Sequence, residues 1–219
     1  PDEHAALGPR PLVAPEAPEF VKRVTAVMLE GKGDLLPVSA FPPDGTWPTG
    51  TAAFEKRAIA TSIPVWDPAI CIQCNKCALM CPHAAIRAKV FAPTALAADA
   101  ALPQVPWRGK EFDGDRYAIA VAPDDCTGCG LCVQVCPAKD KANPRQKALA
   151  MTPVAEVRTA ARQQWATFTA LPEVDRTAIQ KLDVRGSQLL QPLFEFSGAC
   201  AGCGETPYLK LLTQLMGDR

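Results

Sequence analysis

Two near-copies of one cysteine run constrain the fold of this chain more than any other feature. Residues 71–82 read CIQCNKCALMCP, and residues 126–137 read CTGCGLCVQVCP. Both runs have the spacing C-x2-C-x2-C-x3-C-P, and together they hold eight of the ten cysteines. The chain must therefore fold around a duplicated cysteine loop.

This spacing is typical of bacterial-type ferredoxins, where it holds cubane iron–sulfur clusters. Three thiolates spaced three residues apart on a tight loop converge on one cluster, and backbone N–H groups of the loop face its negative charge. The fourth cysteine, which precedes proline, leads the chain to the other cluster. The motif therefore predicts two [4Fe–4S] clusters with crossed ligands. The predicted ligands are Cys71, Cys74, Cys77 and Cys136 for the first cluster, and Cys126, Cys129, Cys132 and Cys81 for the second.

Three other uses of these cysteines fit the pattern less well. A structural zinc site uses two separated pairs of ligands, whereas each run here has three evenly spaced cysteines and a fourth before proline. Disulfides are disfavoured because cysteines separated by two residues pair poorly with each other. A redox-active C-x-x-C would account for one pair of cysteines and not for a duplicated set.

Charge and composition narrow the class of partner. The chain has 219 residues, with 23 Lys or Arg and 23 Asp or Glu, so its charge gives no reason to expect a nucleic acid or an anionic membrane as partner. No apolar run reaches the roughly 20 residues that a membrane helix needs. Clusters and free thiols favour a reducing, cytoplasmic setting. The 22 prolines indicate small modules joined by extended linkers, and the absence of an initiator Met at Pro1 leads us to expect a segment of a longer protein.

Local patterns predict few regular elements before the first cysteine run. Apolar residues at helical spacing, followed by glycine, predict a helix over residues 20–31. Prolines and glycines predict an irregular segment over residues 37–50, anchored by its aromatic side chains. We expect a second helix over residues 52–60 and an extended arm over residues 63–68.

The patterns are more varied after the first run. The Ala- and Pro-rich residues 91–114 indicate a surface insertion, and alternation over residues 117–121 predicts a strand. Thr152 as N-cap and Pro153 in the first turn predict a helix that ends before Pro172. Residues 172–191 are expected to lead the chain away from the cluster domain, and residues 192–196 to form a buried strand.

The two remaining cysteines, Cys200 and Cys203, form a C-x-x-C within a glycine-rich loop. They supply only half of a tetrahedral or cubane site, and a redox-active pair is the alternative interpretation. Thr206 and Pro207 predict a following helix that ends at Gly217. One apolar face of this helix is predicted to contain Leu209, Leu212 and Met216.

The run LFEFSGACAGCGETPY at residues 193–208, which follows the duplicated cysteine motif, closely resembles the pyruvate:ferredoxin (or flavodoxin) oxidoreductases. The resemblance extends to GKGDLLPVSAFPPDGTWPTGT before the first cysteine run and to LLTQLMGDR near the end, and so covers nearly the whole chain from about residue 20. Members of this family are thiamine-diphosphate enzymes that decarboxylate a 2-oxo acid and pass electrons along three [4Fe–4S] clusters.

The resemblance implies a role for each candidate residue. The eight duplicated cysteines match the ligands of the two outer clusters. Cys200 and Cys203 match half of the ligands of the third, inner cluster, whose other two ligands are expected after Arg219. Glu205 matches a glutamate that contacts thiamine diphosphate. The family also implies Mg in the complete enzyme, ferredoxin or flavodoxin as electron acceptor, acetyl-CoA and CO2 as products, and a homodimer.

We therefore predict an α+β chain: a bacterial ferredoxin-like two-[4Fe–4S] domain with long linkers and the beginning of an α/β thiamine-diphosphate-binding domain. The expected divisions are a linker over residues 1–65, the two-cluster domain over 66–150, a helical connection over 151–191, and the truncated thiamine-binding domain over 192–219. The alternative function is a stand-alone two-cluster ferredoxin-type electron carrier.

Overall fold

A computed structural model describes residues 12–97 and 100–217. The chain separates into two compact units, the first ending at Arg57 and the second beginning at Ala58. The first eleven residues of the predicted linker lie outside the described residues. The domain boundaries at 65/66, 150/151 and 191/192 stay a prediction. All three lie within the second compact unit.

The first unit contains the helix that the apolar spacing predicts. A π-helical turn, Val21–Thr25, continues into α1, Ala26–Leu29, and Val21 and Val24 are buried. Gly31 has a φ of 71°, and the N–H of Lys32 reaches back to the carbonyl of Val27 at 3.0 Å. This is the pattern of a glycine-terminated helix.

The remainder of the first unit is irregular, and the predicted helix over residues 52–60 is wrong. The indole of Trp47 packs edge-on against Phe20, with 4.9 Å between the ring centroids, so the segment is anchored by aromatic side chains as expected. Only one 3-10 turn, Thr51–Phe54, follows. The helix does not extend further because the backbone leaves the helical region at Glu55 and Ala58 has a φ of 52°.

Two small antiparallel sheets form the framework of the second unit. β1 pairs with β5, and β4 lies between β2 and β3. The strands are β1 (Ser62–Trp66), β2 (Ile86–Phe91), β3 (Val105–Pro106), β4 (Arg116–Val121) and β5 (Leu149–Pro153). Each strand that enters one cysteine loop thus pairs with a strand that leaves the other, and the predicted extended arm is the edge strand β1.

The helices of the second unit include one in each cysteine run. They are α2 (Lys76–Met80), α3 (Leu131–Val135), α4 (Val154–Ala170), α5 (Val184–Ser187) and α6 (Thr206–Met216). α4 ends before Pro172 as predicted, but it begins later than expected because Thr152 belongs to β5, where it pairs with Ile63. None of the helices in the described part of the chain is long and apolar enough to cross a membrane.

The segment predicted as a surface insertion contributes to the core. Leu102 and Trp107 are 1% and 7% exposed, and the Trp107 ring lies 5.6 Å from that of Tyr117. β3, within this segment, extends the sheet of β4. The composition does not predict the burial of these two residues, because prolines and alanines surround them in the sequence.

The segment after α4 also differs from the prediction. Residues 172–191 return to the cysteine loops instead of leading away, since Leu189 and Leu190 are buried in the same core. Residues 192–196 form no strand, and Phe196 has a φ of 49°.

α6 forms over Thr206–Met216, and its apolar face is the exposed one. Leu209, Leu212 and Met216 are 38%, 57% and 78% exposed, whereas Lys210 and Gln214 are each 2% exposed. The polar side chains are buried because they hydrogen-bond to the protein interior. Lys210 donates to backbone carbonyls of the first cysteine run, and Gln214 donates to the carbonyl of Leu190 at 2.7 Å.

Candidate iron–sulfur centres

The second unit contains two cavities, each lined by four cysteines drawn from both runs. One cavity, the first site, is lined by Cys71, Cys74, Cys77 and Cys136. The other, the second site, is lined by Cys126, Cys129, Cys132 and Cys81. The structure therefore brings together the same two sets of four cysteines that the spacing predicts. The exchange arises because α2 and α3 pack side by side and each directs the cysteine after it into the other cavity.

The two loops use the same backbone conformation with different residues. Gln73 and Asn75 in the first loop have φ values of 57° and 59°, and the equivalent Gly128 and Gly130 have values of 70° and 75°. This left-handed conformation points amide groups toward the thiols. The N–H of Gln73 donates to Cys71 Sγ at 3.3 Å, and that of Gly128 donates to Cys126 Sγ at 3.4 Å.

The first loop holds its unusual backbone through side-chain hydrogen bonds. Asn75 accepts from the Tyr117 hydroxyl at 2.6 Å and donates to the carbonyl of Arg185 at 2.8 Å. Gln73 is fully buried and donates to the carbonyl of Pro106 at 2.8 Å. Burial raises the pKa of Tyr117 well above its usual value, so the phenol stays protonated and donates to Asn75. A polar network therefore supports the first site.

Burial raises the pKa of several cavity thiols, which stay protonated unless a cation binds them. Burial, as the largest cause, raises the pKa of Cys126 and of Cys132 to about 12. Burial also raises the pKa of Cys77 well above its usual value, and the charge of Cys132 adds to this effect. Thiolates crowded in this way require positive iron to offset their repulsion. The two sites are neighbours, since Cys77 and Cys132 lie on the packed helices α2 and α3.

The donor sets fit iron–sulfur clusters better than a single metal ion. Within the described residues, no three His, Cys, Asp or Glu side chains converge on one ion. Each cavity also has a buried hydrogen-bond donor available to sulfur: Trp66 Nε1, directed at Cys71, in the first site and Thr127 Oγ1 in the second. A cubane cluster presents sulfur acceptors to such donors.

The C-x-x-C loop lies beside the second site. A Cβ atom placed on Gly202 would lie 3.7 Å from Cys129 Cβ. Cys203 precedes α6, and the backbone N–H groups of Thr206 and Glu205 lower the pKa of its thiol. Cys200 and Glu205 are exposed. The structure thus places the pair in a separate loop that supplies two thiols and leaves Glu205 open to solvent.

His83 is a site residue that the sequence analysis missed. Its ring is 2% exposed and lines the second site. Its Nδ1 lies 3.1 Å from the carbonyl oxygen of Ser197, and its own carbonyl accepts from the N–H of Phe196 at 2.9 Å. His83 therefore fastens the segment before Cys200 to the crossing cysteine Cys81. Its position directly after Cys81-Pro82 was the available signal.

Comparison with known proteins agrees with this geometry. Residues 70–139 match the model of a 4Fe-4S dicluster domain, and residues 8–60 match a domain of unknown function. The chain is 55% identical to a probable pyruvate-flavodoxin oxidoreductase of Escherichia coli over 217 residues, which cover 99% of this chain and 18% of the relative. It is 56% identical to the pyruvate-flavodoxin oxidoreductase of Rhodospirillum rubrum over 211 residues, or 95% of this chain and 18% of the relative.

Over nearly its whole length, the chain is similar to a segment of the pyruvate-flavodoxin oxidoreductases. A pyruvate:ferredoxin oxidoreductase of Moorella thermoacetica is also similar, with 51% identity over 93% of this chain and 17% of the relative. The chain thus spans about a fifth of the length of these relatives. The match confirms the family resemblance read from the sequence and the two-cluster ferredoxin-like part of the predicted fold.

Proposed function

We propose that this chain is the electron-transfer segment of a thiamine-diphosphate-dependent oxidoreductase that acts on pyruvate or a similar 2-oxo acid. The complete enzyme would form acetyl-CoA and CO2 and would deliver single electrons to ferredoxin or flavodoxin. The observation that carries the proposal is the pair of neighbouring four-cysteine cavities with a C-x-x-C loop against one of them.

Each bound [4Fe–4S] cluster would accept and release one electron at a time. In the proposed assignment, the first site holds its cluster through Cys71, Cys74, Cys77 and Cys136, and the second through Cys126, Cys129, Cys132 and Cys81. Cys200 and Cys203 would contribute half of a third site. Cys203 suits this role because the start of α6 favours its thiolate form.

The packing of the loops supports one order of transfer. Gly202 lies against Cys129 of the second site, and α3, which carries Cys132 of that site, packs on α2, which carries Cys77 of the first. Electrons would therefore pass from the C-x-x-C loop to the second site and then to the first. The first site would face the external acceptor.

Several parts of the proposal concern the complete enzyme. Residues 192–219 would begin its thiamine-diphosphate-binding domain, and Glu205, exposed at the start of α6, would contact that cofactor. Thiamine diphosphate, Mg, the homodimer and the cytoplasmic location are proposed from the family resemblance. A stand-alone two-cluster carrier is the competing function, and it would have no use for the C-x-x-C loop.

The Cys203→Ala variant of the full-length enzyme tests the proposal. We expect CO2 release to stop after about one turnover per active site, with almost no reduction of an artificial dye, because the third site is the proposed first acceptor. Gly198→Ala is the matched control in the same loop, since an added Cβ there meets no atom within 4 Å. Near-normal dye reduction by Cys203→Ala would show that the pair is not on the electron path.

A further inference from the structure

A buried lysine caps the C-terminal end of α2, the helix that precedes Cys81. Lys210, on α6, is 2% exposed, and its Nζ donates to three carbonyls at the end of α2. The distances are 2.9 Å to the carbonyl of Leu79 and 3.0 Å to that of Cys81, and the third acceptor is the carbonyl of Ala78. Three acceptors match the three donors of an ammonium group, whereas a neutral amine has two.

The second cysteine run has a lysine at the equivalent place. Lys147 Nζ donates to the carbonyl of Val133 at 2.8 Å and to that of Gln134 at 3.1 Å, at the end of α3. Cys71 and Cys126 begin the two runs, so equivalent positions differ by 126 − 71 = 55. Val133 and Gln134 are therefore the counterparts of Ala78 and Leu79. The two lysines come from unrelated places in the chain but bind matching carbonyls.

The lysine contacts satisfy carbonyl groups at the ends of α2 and α3. The last carbonyls of a helix have no partner within the helix, and a cation there satisfies them and offsets the negative end of the helix dipole. α2 and α3 have five residues each, so most of their carbonyls are of this kind. The residue that follows each helix is Cys81 or Cys136, both in extended conformation. Each lysine contact thus lies at the point where a crossing cysteine leaves its helix.

We propose that Lys210 and Lys147 are positioning residues that direct Cys81 into the second site and Cys136 into the first. The inference rests on the proposed cluster function. Each lysine would act on the cluster opposite to the loop that it touches, because it acts through the crossing cysteine.

The positive charge of Lys210 gives it a second effect on the bound clusters. No carboxylate in the described part of the chain forms an ion pair with it. Its Nζ lies 3.0 Å from the carbonyl oxygen of Cys81, a proposed ligand of the second cluster. A buried cation beside a ligand favours the more negative, reduced form of a cluster. Lys147 is only partly buried, so water weakens the same effect there.

The test compares Lys210→Met and Lys147→Met with Lys76→Met, which removes an exposed lysine from α2. The cluster-loaded full-length chain is titrated with a reductant, and the two reduced clusters are followed by electron paramagnetic resonance. Spectra of Cys81→Ala and Cys136→Ala identify which signal belongs to which cluster. We expect Lys210→Met to lower the reduced-to-oxidised ratio of the second cluster about tenfold at fixed potential, a shift of 59 mV.

Lys147→Met is expected to broaden or reduce the signal of the first cluster, with a smaller shift in potential. Potentials and signals equal to those of Lys76→Met in both variants would overturn the proposal, as would effects confined to the cluster of the loop that each lysine touches. If Lys210→Met does not fold, the result with Lys147→Met decides. If each cysteine variant damages the cluster of the other run but the lysine variants have no effect, only the lysine proposal is rejected. If each cysteine variant damages the cluster of its own run, the ligand assignment itself is rejected.

Discussion

At the level of single residues, the two cysteine loops adopt the same left-handed backbone conformation with different residues. Position 128 requires glycine, since an added Cβ would lie 3.0 Å from the carbonyl oxygen of Ser62. The first loop has Gln73 and Asn75 at the left-handed positions and uses their amides as anchors. The spacing of the cysteines determines where the loops are, but these hydrogen bonds depend on distant segments and are not visible in the sequence.

Asn75→Ala should destabilise the cluster-loaded chain strongly. The substitution leaves the buried Tyr117 hydroxyl without its acceptor, which costs about 1–3 kcal/mol, and places alanine in a left-handed conformation at a cost of about 1–2 kcal/mol. The measurement is the temperature at which the visible cluster absorbance is lost. Gly130→Ala, at the matching position with open space around its Cβ, isolates the backbone cost. Equal losses in the two variants would mean that the network contributes nothing.

Trp66→Phe should make the potential of the first cluster more negative and leave that of the second unchanged. The ring is retained in part, but the buried indole N–H that faces the first site is removed, and hydrogen bonds toward sulfur raise cluster potentials. Trp107→Phe is the control, because Trp107 also has a buried Nε1 but does not line that cavity. A similar shift in both variants would contradict a specific role for Trp66.

At the level of elements, strand pairing and the exchange of cysteines follow one pattern. β1 enters the first loop and pairs with β5 beyond the second, while β4 enters the second loop and pairs with β2 beyond the first. The two halves of the cluster region are therefore interlocked. The exchange of Cys81 and Cys136 extends the same arrangement from the strands to the cavities.

The elements differ in how far the sequence predicts them. The sequence predicts α4 because its burial follows the helical period, and β4 because large residues alternate with alanine in it, although five of its six residues are buried. The buried face of α6 is not visible in the sequence, because burial of Lys210 depends on carbonyls 129 to 132 residues away in the chain. The strand expected over residues 192–196 is absent for a related reason: Phe196 and Ser197 are held by His83, and this contact selects a turn.

Exchanging the crossing cysteines for alanine tests the interlocked arrangement. Cys81→Ala should damage the cluster bound by Cys126, Cys129 and Cys132, because Cys81 lines that cavity. Cys136→Ala should damage the other cluster. Electron paramagnetic resonance of the reduced variants distinguishes the two. If each substitution harms the cluster of its own run, the assignment of the fourth ligands is wrong.

At the level of the whole molecule, the segment after α4 is part of the cluster unit. Leu189 and Leu190 are buried in its core, Asn75 bonds to the carbonyl of Arg185, and α6 contributes Lys210. The sequence predicted a connection leading away because residues 172–191 are mostly polar. Polarity is a poor guide here, since their role is to satisfy backbone and side-chain groups around the first loop.

The iron content of the purified 219-residue chain, prepared without oxygen, tests the central claim most directly. Two complete cysteine sites and half of a third predict about eight irons and about eight acid-labile sulfides per chain. Cys200 and Cys203 should then remain open to thiol reagents. About four irons would mean that only one cavity holds a cluster, and about twelve would mean that the C-x-x-C loop completes a cluster within this chain; either value would contradict the account.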